Sequence, residues 1–75
     1  MTPLQARILA ALEPRWRALK PIARDVHEQE RTAGKLPYTS ESAIRDNLDR
    51  MANRAEHGVE CLKAGPRRTV WRRTS

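Results

Sequence analysis

The sequence predicts a mainly α fold with a small β-hairpin (α+β), in which three helices accompany a two- or three-stranded antiparallel sheet. Apolar residues recur at helical spacing in three segments before Gly58. After Gly58 the pattern changes to two β-rich runs that flank a Gly-Pro turn. A length of 75 residues is enough for one hydrophobic core, so we expect a single domain over residues 1–75.

The first helix is expected over residues 3–13. Residues 2–5, Thr-Pro-Leu-Gln, combine the spacing of a capping box with a proline at the first helical position. Pro14 is expected to end the helix after Glu13. Charged and apolar residues then alternate over residues 15–19, which indicates a short strand or an extended linker.

Two further helices are predicted before Gly58. Pro21 suits a first helical turn, and helix two is expected over residues 21–32, followed by a loop that contains Gly34 and Pro37. Thr39 or Ser40 is expected to cap helix three, which we place at residues 40–57. Its apolar stripe consists of Ile44, Leu48, Met51, Ala52 and Ala55.

The C-terminal part of the chain predicts a hairpin. Residues 59–63 and 69–73 are β-rich, and the five residues between them fall within the usual range of hairpin connections. Trp16 and Trp71 could stack on nucleic-acid bases, but we expect both indoles to lie in the core, where the segment after helix one pairs with the hairpin.

This order of elements resembles a winged helix-turn-helix domain over almost the whole chain. The segment from Ser40 to Val59 is similar to the recognition helix and first wing strand of GntR-like and MarR-like bacterial repressors, with a Ser-rich start, Ile44-Arg45 and a Gly58-Val59 exit. Residues 68–73 resemble their second wing strand. The resemblance implies a DNA-binding regulator of transcription, most simply a bacterial or phage repressor.

The charge distribution favours a polyanionic partner. The net charge is +6, of which +4 falls in residues 59–75 and +3 in residues 15–37, whereas residues 38–58 carry −1. With Ile44 in the core, the exposed side of helix three and the hairpin would contact double-stranded DNA. The predicted contact residues are Thr39, Ser40, Ser42, Arg45, Asp49, Arg50, Lys63, Arg67, Arg68, Arg72 and Arg73.

The acidic residues of helix three need neutralisation if that helix enters the major groove. Asp46 with Arg50 and Arg45 with Asp49 have the i, i+4 spacing of intrahelical ion pairs, and we expect both pairs to form. The −1 charge of this segment also leaves open an alternative, a winged-helix adaptor that binds a polymerase, replication or phage-defence protein. RNA or single-stranded nucleic acid ranks last because few aromatic residues are available for base stacking.

No constellation of residues indicates catalysis or a cofactor. His27, His57 and Cys61 are the only soft metal ligands and are far apart in sequence, so we expect no metal site. The carboxylate pairs that could be considered lie among arginines on helices, where ion pairing is the ordinary explanation. A single cysteine and the absence of a long apolar run predict a cytoplasmic protein without a membrane partner. Binding as a homodimer to an inverted repeat is compatible with this interpretation, although no sequence feature requires it.

Overall fold

The computed structural model describes residues 1–74 and confirms the α+β class. Three helices pack on a three-stranded antiparallel sheet of order β1-β3-β2, a winged-helix-like layout. Within the described residues, no helix has the length and apolar character needed to cross a membrane. The elements are α1 (Pro3–Ala11), β1 (Arg17–Ala18), α2 (Leu19–Thr32), α3 (Glu41–Ala52), β2 (Val59–Gly65) and β3 (Arg68–Arg73), with a 3₁₀ turn at Ala55–His57.

The first helix starts as the sequence predicts and ends earlier. The capping box forms, with reciprocal hydrogen bonds between Thr2 and Gln5. The helix stops at Ala11, and the backbone of Leu12 is extended. The carbonyl of Glu13 accepts a hydrogen bond from the backbone N–H of Arg73, at 2.9 Å, and is therefore not part of the helix. This long-range bond ties the end of α1 to the last residue of the sheet.

The second helix begins two residues before its predicted start. Ala18 is extended and Leu19 is the first helical residue, so Pro21 occupies the third position of α2. A proline is tolerated there because the first four N–H groups of a helix have no intrahelical acceptor. The helix ends at Thr32, close to its predicted end, and Gly34 follows with a φ of 73°.

The third helix is shorter than predicted. It ends at Ala52, and an extended residue, Arg54, separates it from the 3₁₀ turn that leads to Gly58. Ala55, predicted to belong to the apolar stripe, is exposed. A continuous helix would carry the chain about 1.5 Å farther per residue from the core. The earlier break instead turns the chain back and lets Val59 pack at the start of β2.

The hairpin is tighter than predicted. Gly65 pairs with Arg68, so only Pro66 and Arg67 form the turn, in place of the expected five-residue connection. Proline at the second position and a φ of 71° at the third, Arg67, are typical of a type II turn. The longer strands therefore place basic residues at the very tip of the hairpin.

The core lies between the three helices and the inner face of the sheet. Trp71 is its largest side chain and is 1% exposed, as predicted. Trp16 is 36% exposed, so the prediction that it belongs to the core is wrong. Side chains alternate between the faces of a strand, and Trp16 lies beside Arg72 on the outer face. The core comprises Ile8, Ala11, Leu12, Ile22, Ala23, Val26, Ile44, Leu48, Met51, Val59 and Trp71.

A buried carboxylate holds the connection between α2 and α3. The Glu30 side chain is 0% exposed and accepts hydrogen bonds from the backbone N–H of Thr39, at 3.0 Å, and from its hydroxyl. The ammonium of Lys35 lies 3.4 Å from the same carboxylate. Burial alone would raise the pKa of Glu30, but the Thr39 hydrogen bonds and the charge of Lys35 bring the pKa below its usual 4.5.

We expect the variant Glu30→Gln to lower the free energy of unfolding at neutral pH by about 1–3 kcal/mol, because it removes a charged acceptor from buried donors. The folded state favours the ionised carboxyl. Its contribution is therefore complete above the usual pKa of 4.5 and is lost as the pH falls through the lower pKa of the folded state. Urea unfolding followed by tryptophan fluorescence should thus show the two proteins converging in acid.

A matched control is available on the same helix. Glu28 is exposed and, within residues 1–74, pairs only with the exposed Arg31, so Glu28→Gln should change stability by less than about 0.5 kcal/mol. Equal losses in the two variants, or a stability difference independent of pH, would show that Glu30 does not anchor the connection.

Candidate nucleic-acid interface

A basic concave surface lies between the helices and the hairpin. Its volume is about 320 Å³. It is formed by the beginnings of α2 and α3 on one side and by the end of the hairpin on the other. We call it the hairpin cleft, and it is lined by Ala18, Leu19, Lys20, Glu41, Arg45, Arg67, Arg68, Thr69 and Trp71.

A second concavity adjoins the cleft along α3. Ile44, Leu48 and Met51 are buried, which turns the opposite side of the helix toward solvent. Part of that side faces β2 across a groove of about 330 Å³. We call it the strand groove, and it is lined by Arg45, Asp49, Ala52, Asn53, Cys61, Lys63 and Thr69.

Arg45 belongs to both concavities and joins them into one surface. The structure thus brings together five of the residues predicted to contact DNA, two from α3 and three from the hairpin. Thr69, which faces the helices from β3, also lines both. The residues brought together are Arg45, Asp49, Lys63, Arg67 and Arg68.

The cations of this surface have no carboxylate partners. Within residues 1–74, no acidic oxygen lies within 4.0 Å of a charged nitrogen of Lys20, Arg45, Lys63, Arg67 or Arg68. Other side chains do form ion pairs, as Arg15, Arg54 and Arg72 do with glutamates. Five of the nine lysines and arginines without an ion pair in residues 1–74 thus lie where α3 meets the hairpin, and the other four are Arg7, Arg24, Arg50 and Arg73.

The ion pairs predicted along α3 do not form. Among the described residues, neither Asp46 with Arg50 nor Arg45 with Asp49 comes within 4.0 Å. Exposed side chains gain little from such pairs and lose rotamer freedom by forming them. Asp49 instead affects Cys61 on β2: desolvation raises the pKa of the thiol above its ordinary 9.0, and the Asp49 carboxylate raises it further.

Two of the predicted contact residues, Thr39 and Arg72, bind partners within the chain. Thr39 turns inward: its N–H and hydroxyl bind Glu30, and its carbonyl contacts Nε2 of His27 at 2.6 Å. Arg72 lies on the outer face of the sheet, where its guanidinium carbon is 4.4 Å from the ring centre of Trp16 and its Nη2 is 3.3 Å from Glu60. It is therefore a structural residue of the sheet.

Arg73 and Arg50 also lie apart from the hairpin cleft. Arg73 pairs with Val59 at the base of the hairpin, about 17 Å along the strand from Arg68. Arg50 is located on the side of α3 that faces the start of α1, near Met1 and Asn53. Position along β3 and alternation between its faces therefore separate Arg68, Arg72 and Arg73 from one another.

The two predicted serines lie at the start of α3. Ser40 is the N-cap, and its hydroxyl oxygen accepts the backbone N–H of Ala43 at 3.2 Å. Ser42 is exposed in the first turn. Neither lines the cleft or the groove, and both border the beginning of the helix that carries Arg45.

Lys20 and Arg24 extend the basic surface along α2 and were not among the predicted contact residues. They stand four residues apart on one side of the helix, and this spacing is the sequence signal by which they could have been identified. They line a cavity of about 670 Å³ in which Tyr38 stacks on His27, with ring centres 5.4 Å apart. Lys20 also belongs to the hairpin cleft, so the two concavities adjoin.

The described residues contain no cluster of three or more His, Cys, Asp or Glu side chains arranged to hold a metal ion. The hairpin cleft and the strand groove each present more guanidinium and ammonium groups than carboxylates, and this excess of cations is suited to binding an anion rather than to coordinating a metal ion. No protein-family model, curated protein or solved structure matches this chain.

The contact between α3 and β2 has a chemical readout. We expect Asp49→Asn to speed alkylation of Cys61 by iodoacetamide at mildly alkaline pH, because removing the carboxylate lowers the pKa of the thiol and increases the thiolate fraction. Asp46→Asn makes the same charge change on the same helix and should leave the rate near that of the unmodified protein. Equal acceleration by both variants would contradict the placement of Asp49 beside Cys61.

Proposed function

We propose that the chain is a winged-helix domain that binds double-stranded DNA in a sequence-specific manner and regulates transcription. One observation carries the proposal: Arg45 of α3 shares adjoining concave surfaces with Arg67, Arg68 and Lys63 of the hairpin, and none of these cations is paired with a carboxylate in the described residues. Cations held close together without internal partners are suited to the closely spaced phosphates of a duplex.

The shapes of the elements fit the two grooves of DNA. An α-helix fits the major groove of B-form DNA, and Arg45, exposed on the second turn of α3, can bind a guanine edge with two parallel hydrogen bonds. The tight turn at Pro66-Arg67 is narrow, and guanidinium groups at such a tip can follow the backbone or enter a narrow minor groove. In this arrangement α3 reads sequence and the hairpin supplies most of the attraction.

The charge balance supports the same assignment. The cleft and the groove together contain five cations and two carboxylates, so the surface remains positive although α3 is not. Asp49 beside Lys63 can accept a hydrogen bond from a cytosine amino group, which would add to the discrimination between bases.

A protein-binding adaptor is the second candidate, and the unpaired acidic residues of α3 favour it. Asp46 and Asp49 are exposed and form no ion pair within residues 1–74, so α3 could bind a basic partner. This function would leave the cations of the hairpin tip without a role. We therefore rank DNA binding first.

Binding to duplex DNA should depend strongly on salt. If about five phosphates are neutralised, the logarithm of the affinity falls with the logarithm of salt concentration with a slope of roughly −4 to −5. Fluorescence anisotropy of a labelled random-sequence duplex over a salt series measures this slope. A slope near zero, or no binding at low salt, would exclude the DNA hypothesis and leave the adaptor.

Charge reversal at the hairpin tip tests whether this surface, rather than the net charge of the protein, determines DNA binding. The double variant Arg67→Glu with Arg68→Glu should weaken duplex binding more than about tenfold and reduce the salt slope by about 2. The matched control reverses Arg15 and Arg54, which are exposed and lie outside the cleft and groove, and which pair only with neighbouring glutamates among the described residues. If both double variants lose affinity equally, net charge and not this surface determines binding.

A further inference from the structure

The beginning of α2 points to a ligand in the hairpin cleft. Ala18, the N-cap of this 14-residue helix, has no side-chain acceptor to cap the first turn, and Ala18, Leu19 and Lys20 all line the cleft. The other two helices are capped by Thr2 and Ser40. An uncapped helix start carries a partial positive charge and exposes N–H donors, which here are those of Leu19 and Lys20 because Pro21 has no N–H, and it is a favourable environment for an anion.

Trp71 provides a second, independent observation at the same place. Its side chain is 1% exposed and forms part of the wall of the cleft. Its indole Nε1–H is buried and has no hydrogen-bond acceptor among the described residues. Buried donors are nearly always paired, and leaving one unpaired is costly, so a bound acceptor would stabilise this arrangement.

The charges around these donors define the chemistry of the acceptor. The cleft contains four cations, Lys20, Arg45, Arg67 and Arg68, against one carboxylate, Glu41. Its volume of about 320 Å³ is large enough for a tetrahedral oxyanion and its immediate substituents. A phosphate group satisfies both requirements, since it offers several acceptor oxygens and a negative charge to guanidinium forks.

We propose that the hairpin cleft is a phosphate-binding site in which the indole N–H of Trp71 and the first turn of α2 donate hydrogen bonds to phosphate oxygens. Lys20, Arg45 and Arg68 neutralise the charge of the phosphate. The same chemistry is presented by a phosphodiester of DNA, by a nucleotide and by inorganic phosphate. The DNA source rests on the function proposed above.

The two tryptophans allow a direct test on the intact protein. In a proton–nitrogen correlation spectrum each indole N–H gives one resonance, and Trp16, on the outer face of the sheet, serves as the internal reference. Three titrations use inorganic phosphate, a 5′-mononucleotide and a short DNA duplex. We expect the Trp71 indole resonance to move saturably in at least the duplex titration, while that of Trp16 stays in place.

Three substitutions test how much each side chain contributes to the affinity for the ligand. Trp71→Phe should weaken binding of the responding ligand about tenfold, the loss expected for one hydrogen bond to a charged acceptor, and Trp16→Phe should leave its affinity unchanged. Glu41→Gln should strengthen binding, because it removes the one carboxylate of the cleft. If Trp71→Phe does not fold, the titration of the unmodified protein decides the question.

The outcomes separate this inference from the proposed function. Duplex binding by anisotropy without movement of the Trp71 resonance would overturn the phosphate site and leave DNA binding intact. Movement with phosphate or nucleotide but no duplex binding would support the site, assign it to a free phosphate group and exclude the DNA hypothesis. No movement in any titration, or equal movement of both indoles, would overturn the site.

Discussion

The carboxylate of Glu30 determines how α3 is presented to solvent. The connection between α2 and α3 is longer than a tight helix-turn-helix corner, and such a segment does not fix the position of the following helix by its length alone. The N–H and the hydroxyl of Thr39 both donate to Glu30, and Ser40 caps α3 immediately afterward. The internal polar contact therefore fixes the start of the helix, and with it the side of α3 that faces the hairpin.

The central strand β3 places the C-terminal arginines in different environments. It pairs with β1 on one side and β2 on the other, so its residues alternate between the helix-packed face and the outer face. Trp71 closes the core, while its neighbour Arg72 covers Trp16 on the outside. Only the cations at the turn are directed toward the cleft, so a charge total over the last strand overstates the binding surface.

Local signals predicted the class and order of the elements well. The capping box of residues 2–5, the stripe of Ile44, Leu48 and Met51 and the turn residues of the hairpin all act through neighbours a few positions away. The ends of the elements were less predictable because distant contacts decide them. Glu13 leaves the helical path for a bond with Arg73, 60 residues later, and α3 stops so that β2 can return to the core.

The residues of the candidate site show the same difference between local signals, which were predictable, and distant contacts, which were not. Arg45, Lys63, Arg67 and Arg68 were predictable because exposure on a helix or at a turn follows from periodicity and turn chemistry. The internal contact of Thr39 was not predictable, because its partner, Glu30, lies nine positions away and gives no local signal. The positions of Arg72 and Arg73 outside the cleft were not predictable, because the faces and ends of a sheet become known only once strand pairing is known. The position of Arg50 depends on the packing of α1 near α3, which is also a contact between distant parts of the chain.

The left-handed backbone of Arg67 carries a stability penalty at the tip of the hairpin. This conformation destabilises a residue with a β-carbon by about 1–2 kcal/mol, whereas glycine adopts it at almost no cost. The chain nevertheless has a cation where the geometry prefers the smallest amino acid. The folded protein is less stable by this amount. In return, one positive charge stands at the end of the hairpin, as far from the body of the molecule as the hairpin reaches.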